Sequence, residues 1–281
     1  MGVRTAEARV GPWAGRGLRV VVKGAAYGYD CVRPPRPGVV VLAYHRVGGG
    51  SGLEIDLDPS RFDEQMAWLA GAARVTSLDR AVDELGRDGG PPTVVVTFDD
   101  GTADFVEHAL PILVRHRIPA TYYVATRFVE EQRRFPDGGR PLSWGALAEA
   151  MSTRLVTVGS HTHNHAVMDK LDPVGADQEL RRAAGLIETR LGCPADHFAY
   201  PKGVYGGPAI GRVVARHSRS AALAGATVNH YGTTDPHRLD RIPVQRADRS
   251  RWFRAKASGG LRLEGVLRNR FNRRRYRGAT S

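Results

Sequence analysis

The sequence predicts an α/β fold built on a parallel sheet, and three observations carry that prediction. Short runs of β-branched and aromatic residues alternate with segments of helical periodicity along most of the chain. The runs are continuously apolar rather than alternating, as expected of parallel strands covered on both faces. Several of them also end in polar residues: Tyr44-His45, Asp99-Asp100 and the stretch from His161 to His165. Polar groups just past the C-terminal ends of parallel strands collect on one face, where ligands bind, whether the sheet is open or closed into a barrel. Periodicity leaves those two architectures open.

Taken in order, "GVVVLAYH" (38-45) reads as a strand entering the glycine-rich loop "GGGSG". "DPSRFDEQMAWLAG" follows as a helix, with Asp58 or Ser60 as its cap and Phe62, Met66 and Leu69 at helical spacing. "PTVVVTFDD" is a buried strand, "FVEHALPILVRHR" a helix and "ATYYVAT" a strand. "SWGALAEAM" is helical, "LVTVGSHTHNH" runs from strand to loop, and "ADQELRRAAGLIETRLG" is a helix stopped by Gly192. "HFAYPKG" is a strand entering a loop, "GPAIGRVVARHS" a helix and "SAALAGAT" a strand.

With 281 residues, 42% of them hydrophobic, the chain is long enough to bury a sizeable core. Two cysteines, Cys31 and Cys193, are too few for a disulfide framework and lack structural-zinc spacing. There is no apolar run of about 18 residues, and "GLRVVVKGAAYGY" is broken by Lys23, so neither a membrane span nor an export signal is expected. This tilts the expected location toward the cytoplasm, with peripheral attachment to a membrane. The net charge of +12 is uneven: residues 249-277 hold eleven Lys or Arg against Glu264, and residues 1-38 hold seven against two acids. The stretch between has a net charge of −3. Basic ends on a near-neutral core suit an anionic partner, an acidic glycan or a phospholipid surface, or else a solvated tail. No aromatic platforms interleave the arginines, so no specific nucleic acid is expected.

The chemistry centres on "TFDDG" and "SHTHNH". Two adjacent carboxylates at a strand end repel unless something separates their roles. Three alternating histidines, His161, His163 and His165, offer neutral ring nitrogens, and two imidazoles plus one carboxylate hold a divalent cation with a position left open.

Taken together and in order, "TFDDG" (97-101), "SHTHNH" (160-165) and "FAYPKG" (198-203) resemble the polysaccharide deacetylases with the NodB homology domain, carbohydrate esterase family 4. The upstream "VLAYHRV", the "LSWGALAEA" helix and the closing "HRLDRIPV" are similar too. The resemblance covers about residues 38-246 and places the deacetylase domain at 38-248, leaving 1-37 as a basic N-terminal extension and 249-281 as an Arg-rich tail. It implies a distorted (β/α) barrel and a divalent metal, usually zinc, at the strand ends. Asp100, His161 and His165 correspond to the metal ligands and Asp99 to the general base. Thr162 matches the hydroxyl residue that braces the loop, and His163 is an extra histidine outside the ligand set. The backbone amide of Lys202 corresponds to the oxyanion donor.

Two departures stand out. Ala199 replaces the arginine that orients the base in many members, so the orientation of Asp99 must come from elsewhere or be looser. The closing Leu-x-His, which supplies the general acid, has no counterpart, leaving His230 or His237 as the candidate acids. The expected function is metal-dependent removal of N-acetyl groups from an N-acetylhexosamine polysaccharide or sugar conjugate. The alternative is a weak or inactive, metal-holding carbohydrate-binding homologue with a basic, membrane- or anion-docking tail.

Overall fold

The computed structural model describes residues 16–277; residues 1–15 and 278–281 of the two basic ends lie outside the described residues. A helix, α1 (Arg16–Val32), precedes the first strand, β1 (Val39–Tyr44). A short parallel pair, β2 (Arg46–Val47) and β3 (Asp56–Leu57), leads to α2 (Pro59–Ala72), β4 (Arg74–Val75), α3 (Leu78–Leu85) and β5 (Thr93–Phe98). A π-helical turn, Phe105–Ala109, opens α4 (Leu110–His116), followed by β6 (Ala120–Val124), α5 (Thr126–Glu130) and α6 (Trp144–Ser152). Next come β7 (Val156–Ser160), α7 (Pro173–Leu191), β8 (His197–Ala199), α8 (Gly207–His217) and β9 (Ser220–Ala224). The chain closes with β10 (Leu239–Pro243), α9 (Ser250–Ala257) and α10 (Arg262–Arg277).

The question of open sheet or barrel is settled by β1, which pairs in parallel with both β5 and β10. The ring β1-β10-β9-β8-β7-β6-β5 therefore closes on itself as a seven-stranded parallel barrel. It is distorted in two places. The short β4 pairs with the start of β5 at Thr93 and Val94, whereas β6 joins the same edge only from Val96 onward. The β7–β8 seam rests on a single pair, Ser160 with Phe198.

Both faces of these strands are apolar, which hides the period-two alternation in the sequence. Val40, Leu42, Tyr44, Val94, Val96 and Phe98 point outward into the core beneath the helices. There the rings of Tyr44, Phe62, Phe98, Phe105 and Tyr122 pack at centroid separations of 4.1 to 6.2 Å. Each such buried ring stabilises the fold by about 2 kcal/mol. Val39, Val41, Val95, Tyr123, Ala199, Ala222 and Leu239 form a second cluster with Leu78, Ala81 and Leu85 of α3. Thus α3 plugs the N-terminal end of the barrel, tied by Asp79 to buried His197 at 3.0 Å. The plug leaves the opposite mouth for chemistry.

Helix starts follow local rules. Asp58 caps α2 through Ser60 N–H, Ser77 caps α3, Ser143 caps α6 and Asp172 caps α7. Gly192 closes α7 at φ 69°, the left-handed position that favours glycine.

The basic ends differ from a solvated tail. Phe253 and Ala257 of α9 join the main core, and α1 lies against α10. Lys23 of α1 and Lys256 of α9 both reach Asp248, at 2.5 and 2.6 Å, with all three side chains buried. Burial alone would raise the Asp248 carboxyl, but the two ammonium groups hold its pKa low. Asp30 joins the two ends as well, accepting from Leu261 N–H and from Arg262.

Candidate active site

Asp99 and Asp100 stand at the mouth because β5 ends there and the chain turns sharply. Asp99 keeps the inward phase of Val95 and Thr97, and its amide donates to Tyr44 O at 3.1 Å. Asp100 adopts φ 80° and Gly101 φ 116°, so the second carboxylate leaves the strand direction. A Cβ on Gly101 would stand 3.2 Å from Val124 Cγ1 and in a backbone region that side chains avoid, which accounts for the glycine. Ala125 N–H to Asp100 O and Leu142 N–H to Gly101 O hold the turn in place.

The turn after β7 delivers the histidines. Thr162 (φ 63°) and His165 (φ 58°) both take left-handed backbone, and Thr162 Oγ1 accepts from Ala166 N–H at 2.9 Å. Glu179 of α7 accepts from the amides of His163 and Asn164, and Thr126 and Arg127 amides donate to Thr162 and His163 carbonyls. Among the described residues, half of the eight non-glycine positions with positive φ, counting Asp100 and Lys202, belong to these mouth turns. Such concentration is characteristic of functional loops.

The result is a compact donor set. Nε2 of His165 lies 3.3 Å and Nε2 of His161 3.7 Å from Asp100 Oδ1, and the three donor atoms fall within 4.8 Å of one another. His161 Nδ1–H donates to Ala199 O at 2.8 Å, which fixes the tautomer and leaves Nε2 with its lone pair toward Asp100. Burial pushes the His161 pKa down to about 4, so the ring is neutral at pH 7. Two imidazoles and a carboxylate at this spacing fit a first-row divalent cation with positions left for water and substrate. His163 turns away: its Nδ1 meets Thr126 Oγ1 at 2.9 Å and its side chain is buried.

Asp99 is held by a residue that sequence reasoning passed over. Arg241 of β10 grips it through two bonds, Nη1 to Oδ1 at 2.6 Å and Nη2 to Oδ2 at 2.8 Å. Burial by itself would raise the Asp99 pKa, and the Arg241 guanidinium and neighbouring His161 bring it below the ordinary carboxylate value. Arg241 points inward with Leu239, and its guanidinium also lies 5.1 Å over the Tyr123 ring. The interior has room for it beside the small side chains of Ala199 and Ala222. The signal was present in "LDRIPV", a charged residue inside a strand-like run, but it carried meaning only in register with Asp99.

His45, immediately after β1, is at the mouth where its strand end predicted it, although the sequence assigned it no role. Its Nε2 lies 3.8 Å from Asp99 Oδ2, and it is partly exposed at the mouth. His230 and His237, by contrast, are not brought to this site. His230 Nδ1 faces Pro37 O before β1, and His237 Nε2 bonds Ser218 O before β9, both at the N-terminal end of the barrel. The return segment between β9 and β10 runs back to that end, which corrects the expectation of an acid there. Lys202 sits at φ 59° in a turn closed by Gly203 N–H to Tyr200 O at 2.8 Å, with its side chain exposed.

Barrel and mouth together define a (β/α) barrel with a carboxylate–imidazole centre and a separately braced second carboxylate. Residues 86–216 match the family model for polysaccharide deacetylase. A solved structure of IcaB from Ammonifex degensii superposes with a TM-score of 0.70 at 25% identity, covering 80% of this chain and 99% of that one. A chitooligosaccharide deacetylase of Bradyrhizobium sp. is 27% identical over 165 residues, 57% of this chain and 65% of the relative. The poly-beta-1,6-N-acetyl-D-glucosamine N-deacetylase of Escherichia coli K12 is 29% identical over 143 residues, 46% of this chain and 21% of the relative. The chain spans about half the length of the first curated relatives it matches, 57% and 53%.

Proposed function

We propose that the protein hydrolyses N-acetyl groups from N-acetylhexosamine units of a glycan or sugar conjugate, with zinc or a similar divalent ion held by Asp100, His161 and His165. The observation that carries this reading is the Arg241–Asp99 pair beside that donor set. A module that only bound sugar would have no use for an ionised, fixed carboxylate next to the cation ligands. The grounds for an inactive homologue were two, the missing arginine at Ala199 and the missing acid; the Arg241–Asp99 pair supports turnover against the first, and His45 beside Asp99 supports it against the second.

The bound cation would supply Lewis acidity and make a bound water easier to deprotonate. Asp99, ionised and fixed by Arg241, removes a proton from the attacking water. Lys202 N–H, presented by its left-handed turn, donates to the oxyanion of the tetrahedral intermediate. His45, at the mouth and within reach of Asp99, gives a proton to the departing amine. Acetate release from N-acetylglucosamine oligomers, measured with metal content, tests the proposal. Asp99→Asn abolishes release with metal content near that of the wild type, and Asp100→Asn loses both. A wild-type protein fully loaded with metal that releases no acetate from any N-acetylated glycan would sink it.

A further inference from the structure

Most soluble helices bury their apolar face and wet their charged one. Both terminal helices of this protein do the reverse. On α1, Lys23 turns inward to Asp248, while every exposed position between 20 and 32 carries an uncharged residue, with Val21 67% and Val32 81% exposed. On α10, the Glu264–Arg268 pair is buried, and Leu263, Val266, Leu267 and Phe271 lie outward at helical spacing. These helices pack on each other and carry eight of the ten large hydrophobic side chains exposed among the described residues. Concentrated exposure of this kind marks an interaction surface.

The charge around it selects the partner. The acids of α1 and α10, Asp30 and Glu264, are engaged with Arg262 and Arg268. Arg270 is exposed on α10, and exposed Arg251 of α9 lies 4.5 Å over the Tyr27 ring of α1. Next to Tyr29 a cavity of about 460 Å³ is lined by Arg33, Arg36, Arg262 and His230. We infer that the α1/α10 face docks on a bilayer containing anionic phospholipid, with the apolar stripe entering the interface and the arginines, including Arg33 and Arg36 of the cavity, facing headgroup phosphates. A second copy of the chain would set two strongly basic surfaces against each other, and nucleic acid would have no use for the aliphatic stripe. No helix among the described residues is long and apolar enough to cross a membrane, so the contact is peripheral. The inference is independent of the chemistry at the barrel mouth.

The test is co-sedimentation of the full chain with vesicles of phosphatidylcholine, with and without phosphatidylglycerol. Binding is expected only with the anionic lipid and is expected to weaken as salt rises. Leu263→Asp/Leu267→Asp on α10 and, separately, Val21→Asp on α1 lower it at least about tenfold. Arg251→Gln or Arg270→Gln lowers it about fivefold. All of these variants keep the wild-type thermal melt and acetate release from soluble oligomers, which separates docking from folding and from catalysis. Absence of wild-type binding to the anionic vesicles, or binding unmoved by the apolar variants in folded protein, overturns the inference. So does a dimer by light scattering that the α10 variant dissolves, or a DNA duplex bound more tightly than the vesicles.

Discussion

In the proposed reaction Arg241 gives Asp99 a fixed charge and His45 gives the leaving amine a proton. Arg241 is buried and committed to two bonds on the carboxylate, so removing it leaves a buried, uncompensated charge. Arg241→Gln therefore raises the Asp99 pKa, and because the base must be ionised, the acidic limb of the pH–rate profile moves to higher pH. Loss of about 3 kcal/mol of stability accompanies it, readable from denaturant unfolding. An unchanged acidic limb would separate Arg241 from the base. His45→Ala is expected to lower kcat on N-acetylated oligomers by about a hundredfold with metal content unchanged. An aryl acetate ester, whose leaving group needs no proton, is hydrolysed by the same variant at close to the wild-type rate. Equal losses on both substrates would deny His45 the role of acid.

At the scale of elements, the mouth depends on turns that only certain residues can make. The turn after β8 is set by Gly203, at φ 66°, where an added Cβ would lie 2.2 Å from Ala224 Cβ and 2.4 Å from its backbone nitrogen. Gly203→Ala pushes this turn away from β9 and carries the Lys202 amide off the oxyanion position. A fall in kcat of about a hundredfold with nearly unchanged KM is expected, since the lost bond belongs to the transition state. The loop after β7 is secured from outside by α5 and by Glu179 of α7. Helices and strands thus act as a frame, and the ligating side chains are placed by backbone conformations the frame enforces.

For the whole molecule, the site is a charge problem that folding creates and that the proposed cation would relieve. In the metal-free protein His161 has a pKa of about 4, below its unfolded value near 6.5, so on acidification the unfolded chain takes up the proton first. Its contribution to stability is complete above about pH 6.5, declines between about 6.5 and 4, and levels off below that. The expected decline is on the order of 3 kcal/mol in chelator-treated protein, and His161→Gln flattens it. Denaturant midpoints across this range check the slope. Added zinc at a hundredfold excess over its dissociation constant raises stability by about 2.7 kcal/mol at pH 7. Asp100→Asn cancels that gain.

The sequence by itself determined the alternating strands and helices, the strand ends that gather polar groups, and the resemblance to polysaccharide deacetylases through "TFDDG", "SHTHNH" and "FAYPKG". These were legible because each is local: a run of apolar residues, a turn glycine, ligands a few positions apart. Barrel closure was not, since it depends on β1 pairing with both β5 and β10 across long stretches of chain. For the same reason Arg241 could not be matched to Asp99, 142 residues away, nor His230 excluded from the site before its end of the barrel was known. Tertiary structure also turned the basic ends from a tail into packed helices, because Lys23, Asp248 and Lys256 find one another only in the folded chain. Register decides which distant side chains share the barrel interior, and a linear pattern carries no register between strands.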